Sequence, residues 1–149
     1  MNPSCLIFLC MLVLPSAALA GEFASLADAR KVADKAVSLF QQENIVAGYE
    51  TLKPYWPLAS VEIDNLANQT NTQWPMVKQR FGTSIATEFI KETKAGDSLA
   101  RFVYLQKFQN HAIRWVFTFY KPKDRWIING VSFDDRLDLL FENRGSSGE

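Results

Sequence analysis

Between Thr83 and Phe133 apolar and polar side chains alternate with a period of two, the pattern of half-buried strands. Turn residues interrupt the alternation three times, so four antiparallel strands are expected. In Phe119 to Trp126, Pro122 holds φ at about −65° and suits the first position of a type I turn. Asp124 then takes the left-handed position of a three-residue loop. That loop sets Lys121 against Arg125, Phe119 against Ile127, Phe117 against Asn129, Trp115 against Val131 and Ile113 against Phe133. A two-residue turn at Asn110-His111 sets Phe108 against Ile113, Gln106 against Trp115, Tyr104 against Phe117 and Phe102 against Phe119. Gly96-Asp97 sets Phe89 against Tyr104, Thr87 against Gln106 and Ile85 against Phe108, with a Glu92–Arg101 charge pair on the opposite face.

All three turns place the aromatic positions on one face, and a one-residue slip at any of them breaks that agreement. Residues 24–82 instead carry helical periodicity. Leu26, Ala29, Ala33, Ala36, Val37 and Phe40 form one stripe, started by a capping-box-like Ser25 and Asp28, with Lys31, Asp34 and Lys35 on the solvated side. A short second helix runs from Asn44 as N-cap through Tyr49 to Leu52 and stops at Pro54 and Pro57. A third stripe runs from Ile63 through Ala67, Thr70, Trp74 and Val77 to Phe81, closed by Gly82. Pro75 predicts a kink or break near Thr72 to Trp74. The helices need an apolar surface to cover, and the aromatic face of the sheet provides it. The fold class is therefore α+β, with N-terminal helices on a curved four-stranded antiparallel meander.

The first residues change the picture. Cys5 to Leu14 are apolar without interruption, and Pro15-Ser16 and Ala18-Leu19-Ala20 follow. This predicts a secretory signal peptide over 1–20, cleaved after Ala20, although its start lacks Lys and Arg. The run is short for a membrane span. A single domain over 21–142 and a disordered tail over 143–149 complete the expected organisation, with a secreted or periplasmic destination. Both cysteines lie in the leader, which leaves the mature chain without thiol chemistry or disulfides. Lys plus Arg number 16 and Asp plus Glu number 16, and no basic run occurs, which argues against nucleic acid as a partner. After leader cleavage no membrane partner is expected.

Helices followed by a curved meander resemble the NTF2-like superfamily of cone-shaped, cystatin-like α+β domains. The closing pair, Phe117-Thr118-Phe119-Tyr120-Lys121-Pro122-Lys123-Asp124-Arg125-Trp126 and Ile128-Asn129-Gly130-Val131-Ser132-Phe133, looks like small secreted bacterial members without assigned function. The resemblance implies a pocket between sheet and helices and, in many members, a homodimer. It implies no particular chemistry, because one fold serves binding, transport and catalysis.

Enzymes of that superfamily place carboxylates or histidines inside the cone. The inward face expected here holds no Asp, Glu or His, and Lys91 lies only near its end, so no catalytic residue is assigned. Asp64, Asp134 and Asp135 could reach in from the rim. His111 is the one histidine and falls in a turn; no metal or cofactor is assigned. Asp134, Asp135 and Asp138 read as a solvated strand end before they read as a cation site. Thr87, Tyr104, Gln106 and Asn129 remain as polar groups in an aromatic layer. With Phe89, Trp115 and Phe117 they define a candidate pocket for an apolar or weakly polar small ligand. On the outward face Val103, Val116, Tyr120, Trp126 and Ile128 form a candidate dimer interface, the alternative being cover by Leu137 to Phe141. The expected function is a non-catalytic binding or interaction module. The alternatives are a small-molecule lyase or isomerase, or a structural subunit dimerising through its outer face.

Overall fold

The computed structural model describes residues 21–141; the leader expected over 1–20 and the tail expected over 143–149 lie outside them. Three helices, α1 (Leu26–Gln41), α2 (Ile45–Leu52) and α3 (Ser60–Phe81), precede β1 (Ser84–Ala95), β2 (Leu99–Phe108), β3 (Ala112–Tyr120) and β4 (Ile127–Asp134). The strands form one antiparallel meander in the order β1-β2-β3-β4. Short 3-10 turns follow α2, at Lys53–Tyr55, and β4, at Leu137–Leu140. The α+β class read from the periodicity is the observed one.

Helix α1 starts as expected, with Ser25 Oγ accepting the Asp28 amide at 3.1 Å and donating to Asp28 Oδ2 at 2.8 Å. The Ser25 hydroxyl bond, and then Lys31, hold the Asp28 carboxyl below its usual range. The helix ends in a Schellman motif, with Glu43 N donating to Phe40 O at 3.0 Å and Asn44 N to Leu39 O at 2.9 Å. The left-handed residue is Glu43, at φ 63°. Asn44 precedes α2 but makes no side-chain cap bond. At the start of α3, Glu62 Oε2 accepts the Ala59 amide at 3.0 Å; Ala59 has no side-chain acceptor to return the bond. Contrary to the expected break, α3 runs continuously through Pro75. Trp74, 4% exposed, anchors that turn against Phe108, Trp115 and Phe133, with ring centroids 6.1–6.2 Å apart.

The sheet keeps the expected inner face along most of its length but changes its pairings. Phe89 faces Tyr104 and Thr87 faces Gln106 as read. A bulge between Phe89 and Lys91 then sets Glu92 against Phe102 and Thr93 against Arg101, and puts Lys91 opposite Val103. A second irregularity places Ser84 opposite Phe108 and leaves Ile85 60% exposed. The next turn sits one residue earlier than expected, at Gln109-Asn110, with Phe108 N donating to His111 O at 2.9 Å. Contacts with the α3–β1 junction select that position. Gln109 bonds Thr83 through both backbone and side chain, and Asn110 N donates to Phe81 O. Gly82, at φ 86°, permits this approach, because a Cβ there would meet Gln109 at 2.8 Å. The register slides by two, to Gln106–Ile113, Tyr104–Trp115 and Phe102–Phe117, so every side chain keeps its face.

Between β3 and β4 the expected three-residue loop is replaced by a longer one, closed by Tyr120–Ile127. A bulge makes Phe119 face Ile128 while Thr118 faces Gly130, which leaves Asn129 as the extra residue. This single insertion turns Ile128 and Trp126 to the inner side, 0% and 7% exposed. The cause lies at the other end of the chain. Phe23 pairs with Trp126 through N–H···O bonds of 2.8 and 3.0 Å and draws it away from Tyr120. The core between helices and sheet is largely aromatic, with Phe40 stacked on Trp115 at 4.1 Å and Phe102 against Phe119 at 4.8 Å.

Candidate functional site

Three regions bear on function. The first is the inner layer where a pocket was expected. Gln106 is fully buried, and every polar atom of its amide is used. Its Nε2 donates to Ser84 Oγ at 2.8 Å and to Phe40 O at 3.5 Å, and its Oε1 accepts Trp115 Nε1 at 2.8 Å. Tyr104 donates its hydroxyl to Asp34 Oδ1 at 2.7 Å, and the same oxygen accepts Arg30 Nε at 2.7 Å. The Arg30 guanidinium lies 3.3 Å from the Phe89 ring centroid. Burial first, and then the Asp34 carboxylate, push the Tyr104 phenol far above its ordinary value. Phe117 and Trp115 are 0% exposed, Thr87 is half-buried, and Asn129 lies exposed on its bulge. The polar residues expected to orient a ligand are therefore partners of helix groups or absent from the layer. Asp34, assigned to solvent by the helical stripe, is the carboxylate that reaches the inner face.

The second region is the outer face. Val103 and Val116 face each other there, 2% and 8% exposed. The C-terminal 3-10 turn lies against β3, and Lys91 Nζ donates to Leu140 O at 3.2 Å across the sheet. The valines are buried within the chain. Trp126 and Ile128 belong to the core, so of the expected interface residues Tyr120 alone is exposed, at 39%. Beside them Arg114 grips Asp134 through Nε at 2.6 Å and Nη2 at 2.9 Å. Burial alone would raise the Asp134 carboxyl, but the Arg114 guanidinium and the Arg136 amide hold it below the usual carboxylate range.

The third region had no counterpart in the sequence reading. An open cleft of about 240 Å³ lies between α3 and the far ends of β3 and β4. Val77, Phe81, Ile113 and Phe133 line it, Met76 stands at its edge 72% exposed, and Arg80 approaches Asp135 at 3.4 Å on its rim. The register slip of β4 creates this floor by setting Phe133 opposite Trp115, against Trp74. Period and turn chemistry contain no signal for it, because α3 and β4 meet only in the tertiary structure. Asp64, the other rim carboxylate, is bound by Lys53, whose ammonium is stabilised first by Asp64 and then by Glu50. His111, expected in the turn, instead closes it opposite Phe108, exposed and with its ring 4.6 Å from that of Phe81. Among the described residues no group of three His, Cys, Asp or Glu side chains could hold a metal ion, and no helix is long and apolar enough to cross a membrane. No family model matches the chain, and no curated protein or solved structure is significantly similar to it.

Proposed function

We propose that this chain is an exported, non-catalytic binding module that takes a small apolar or weakly polar ligand in the cleft between α3 and the ends of β3 and β4. The observation that carries the reading is an open cleft lined by Val77, Phe81, Ile113 and Phe133, with an exposed Met76 at its edge. The polar groups of the inner layer support the non-catalytic half of the reading. Gln106 is consumed by Trp115, Ser84 and Phe40, and the Asp34 oxygen nearest the layer is shared by Tyr104 and Arg30. The leader-like start, Cys5 to Ala20, supports export. The helices-then-meander order is also that of the NTF2-like superfamily, which the chain resembles.

The test is a titration of the folded protein with 1-anilinonaphthalene-8-sulfonate, an amphipathic probe sized for such a cleft. Saturable fluorescence enhancement is expected, and Val77→Glu, which puts a carboxylate where the anionic sulfonate probe would sit, should abolish it without lowering the helical content. An enhancement that is unchanged in Val77→Glu, or absent from the native protein, would overturn the assignment of the cleft.

A further inference from the structure

Three irregularities of the described chain converge on the opposite flank of α3. The first is Glu43, the one non-glycine residue with positive φ among those described. It occupies the left-handed position of the Schellman motif, where glycine is the least strained choice. Its side chain crosses to α3 and accepts Lys78 Nζ at 2.9 Å. The second is Pro75, whose ring nitrogen has no hydrogen to give to the Asn71 carbonyl one turn earlier. The third is Trp74. It is 4% exposed, and its Nε1 is the one buried side-chain nitrogen or oxygen without a hydrogen-bond partner among the described residues.

Glu43, Asn71, Trp74, Pro75 and Lys78 together line a groove of about 370 Å³ between the α1–α2 junction and the middle of α3. Its lining alternates in kind: a carboxylate, an ammonium, a backbone carbonyl released by proline, and the apolar surface of Trp74 and Pro75. Glu43 and Lys78 neutralise each other, so the groove carries no net charge to attract an ion. We propose that this groove is a binding site for a small uncharged polyol, of which a monosaccharide is the representative. Each hydroxyl of such a ligand both donates and accepts. Vicinal hydroxyls can therefore bridge the Glu43 carboxylate and the Lys78 ammonium while another meets the Asn71 carbonyl, and the adjacent Trp74 indole reports their arrival. The Pro75 ring supplies the apolar wall that the C–H face of a sugar requires. The strain at Glu43 has the same explanation, because glycine would relax the backbone but remove the carboxylate from the rim.

The experiment follows the Trp74 indole N–H resonance in proton–nitrogen correlation spectra, assigned with Trp74→Phe, during titration with D-glucose, D-galactose and N-acetylglucosamine, and with glycine as a zwitterionic control. At least one sugar should give a saturable shift, and glycine none. Glu43→Gly should weaken that binding at least tenfold while leaving the melting temperature equal or higher, and Lys78→Ala should weaken it similarly. The absence of a saturable shift with every sugar overturns the proposal. So does a shift that glycine reproduces, or one that survives Glu43→Gly. A Glu43→Gly protein that melts lower yet binds sugar unchanged would give Glu43 a purely structural role.

Discussion

Tyr104 shows how one hydroxyl separates two readings of the same aromatic layer. Its 2.7 Å bond to Asp34 makes it a fastener between β2 and α1. Tyr104→Phe should therefore cost about 1–2 kcal/mol of stability, at the lower end for a charged partner because Asp34 keeps Arg30 and water. Denaturant melts measure this, and an unchanged midpoint would mean that the bond contributes nothing. The pH dependence has a definite sign. The folded phenol keeps its proton at a pH where the unfolded one, with a pKa of about 10, releases it. Stability is thus fully present below that pH and falls as pH rises above it, and Tyr104→Phe should flatten this alkaline limb. Burial also raises Tyr49, so part of the slope should survive in the variant. The partner of Tyr104 was within reach of sequence reasoning. Arg30 and Asp34 are spaced i, i+4 at the border of the apolar stripe, and a buried tyrosine requires an acceptor.

Among the elements, the two helices joined at Glu43 are held by an unusually close approach. A Cβ on Gly48 would run into the Phe40 ring, itself fully buried and stacked on Trp115. Gly48→Ala should therefore lower the melting temperature. Overpacking costs roughly 1–3 kcal/mol and outweighs the gain of about 1 from helix propensity. A melting temperature above that of the native protein would show that the ring yields. The strands show where sequence reasoning stops. Their faces were legible because the turn at Gln109-Asn110 displaced the register by two, a shift that alternation cannot detect and that moves no side chain across the sheet. Bulges have the opposite effect. One extra residue at Asn129 sent Ile128 and Trp126 into the core and Asn129 out of the expected pocket, and a bulge after Phe89 took Lys91 to the outer face. Both follow from distant partners, Phe23 for Trp126 and the Leu140 carbonyl for Lys91, which a local pattern does not contain.

Among the described residues the helices pack on the inner face of the sheet, and the C-terminal 3-10 turn lies against β3, whose Val116 is buried. Val116→Lys should consequently destabilise the fold, on the order of 3 kcal/mol, because it buries an ammonium among apolar groups. A variant that melts normally but changes mass by light scattering would instead make the outer face a contact between copies. The proposed export predicts a mature protein beginning at Gly21. Intact mass of the secreted form measures this, and retention of residues 1–20 would sink it. The Phe23–Trp126 bridge bears on how the beginning of the domain is secured. Its partners stand about a hundred positions apart in the chain, so the ring they close is among the slowest contacts to form. During folding from the N-terminus, Phe23 waits for β3 and the long loop after it before its strand pairing can form. Gly21 needs no such wait, because its amide meets Pro54 O at the far closer end of α2. The beginning of the domain is thus secured in two stages, an early one at Gly21 and a late one at Phe23.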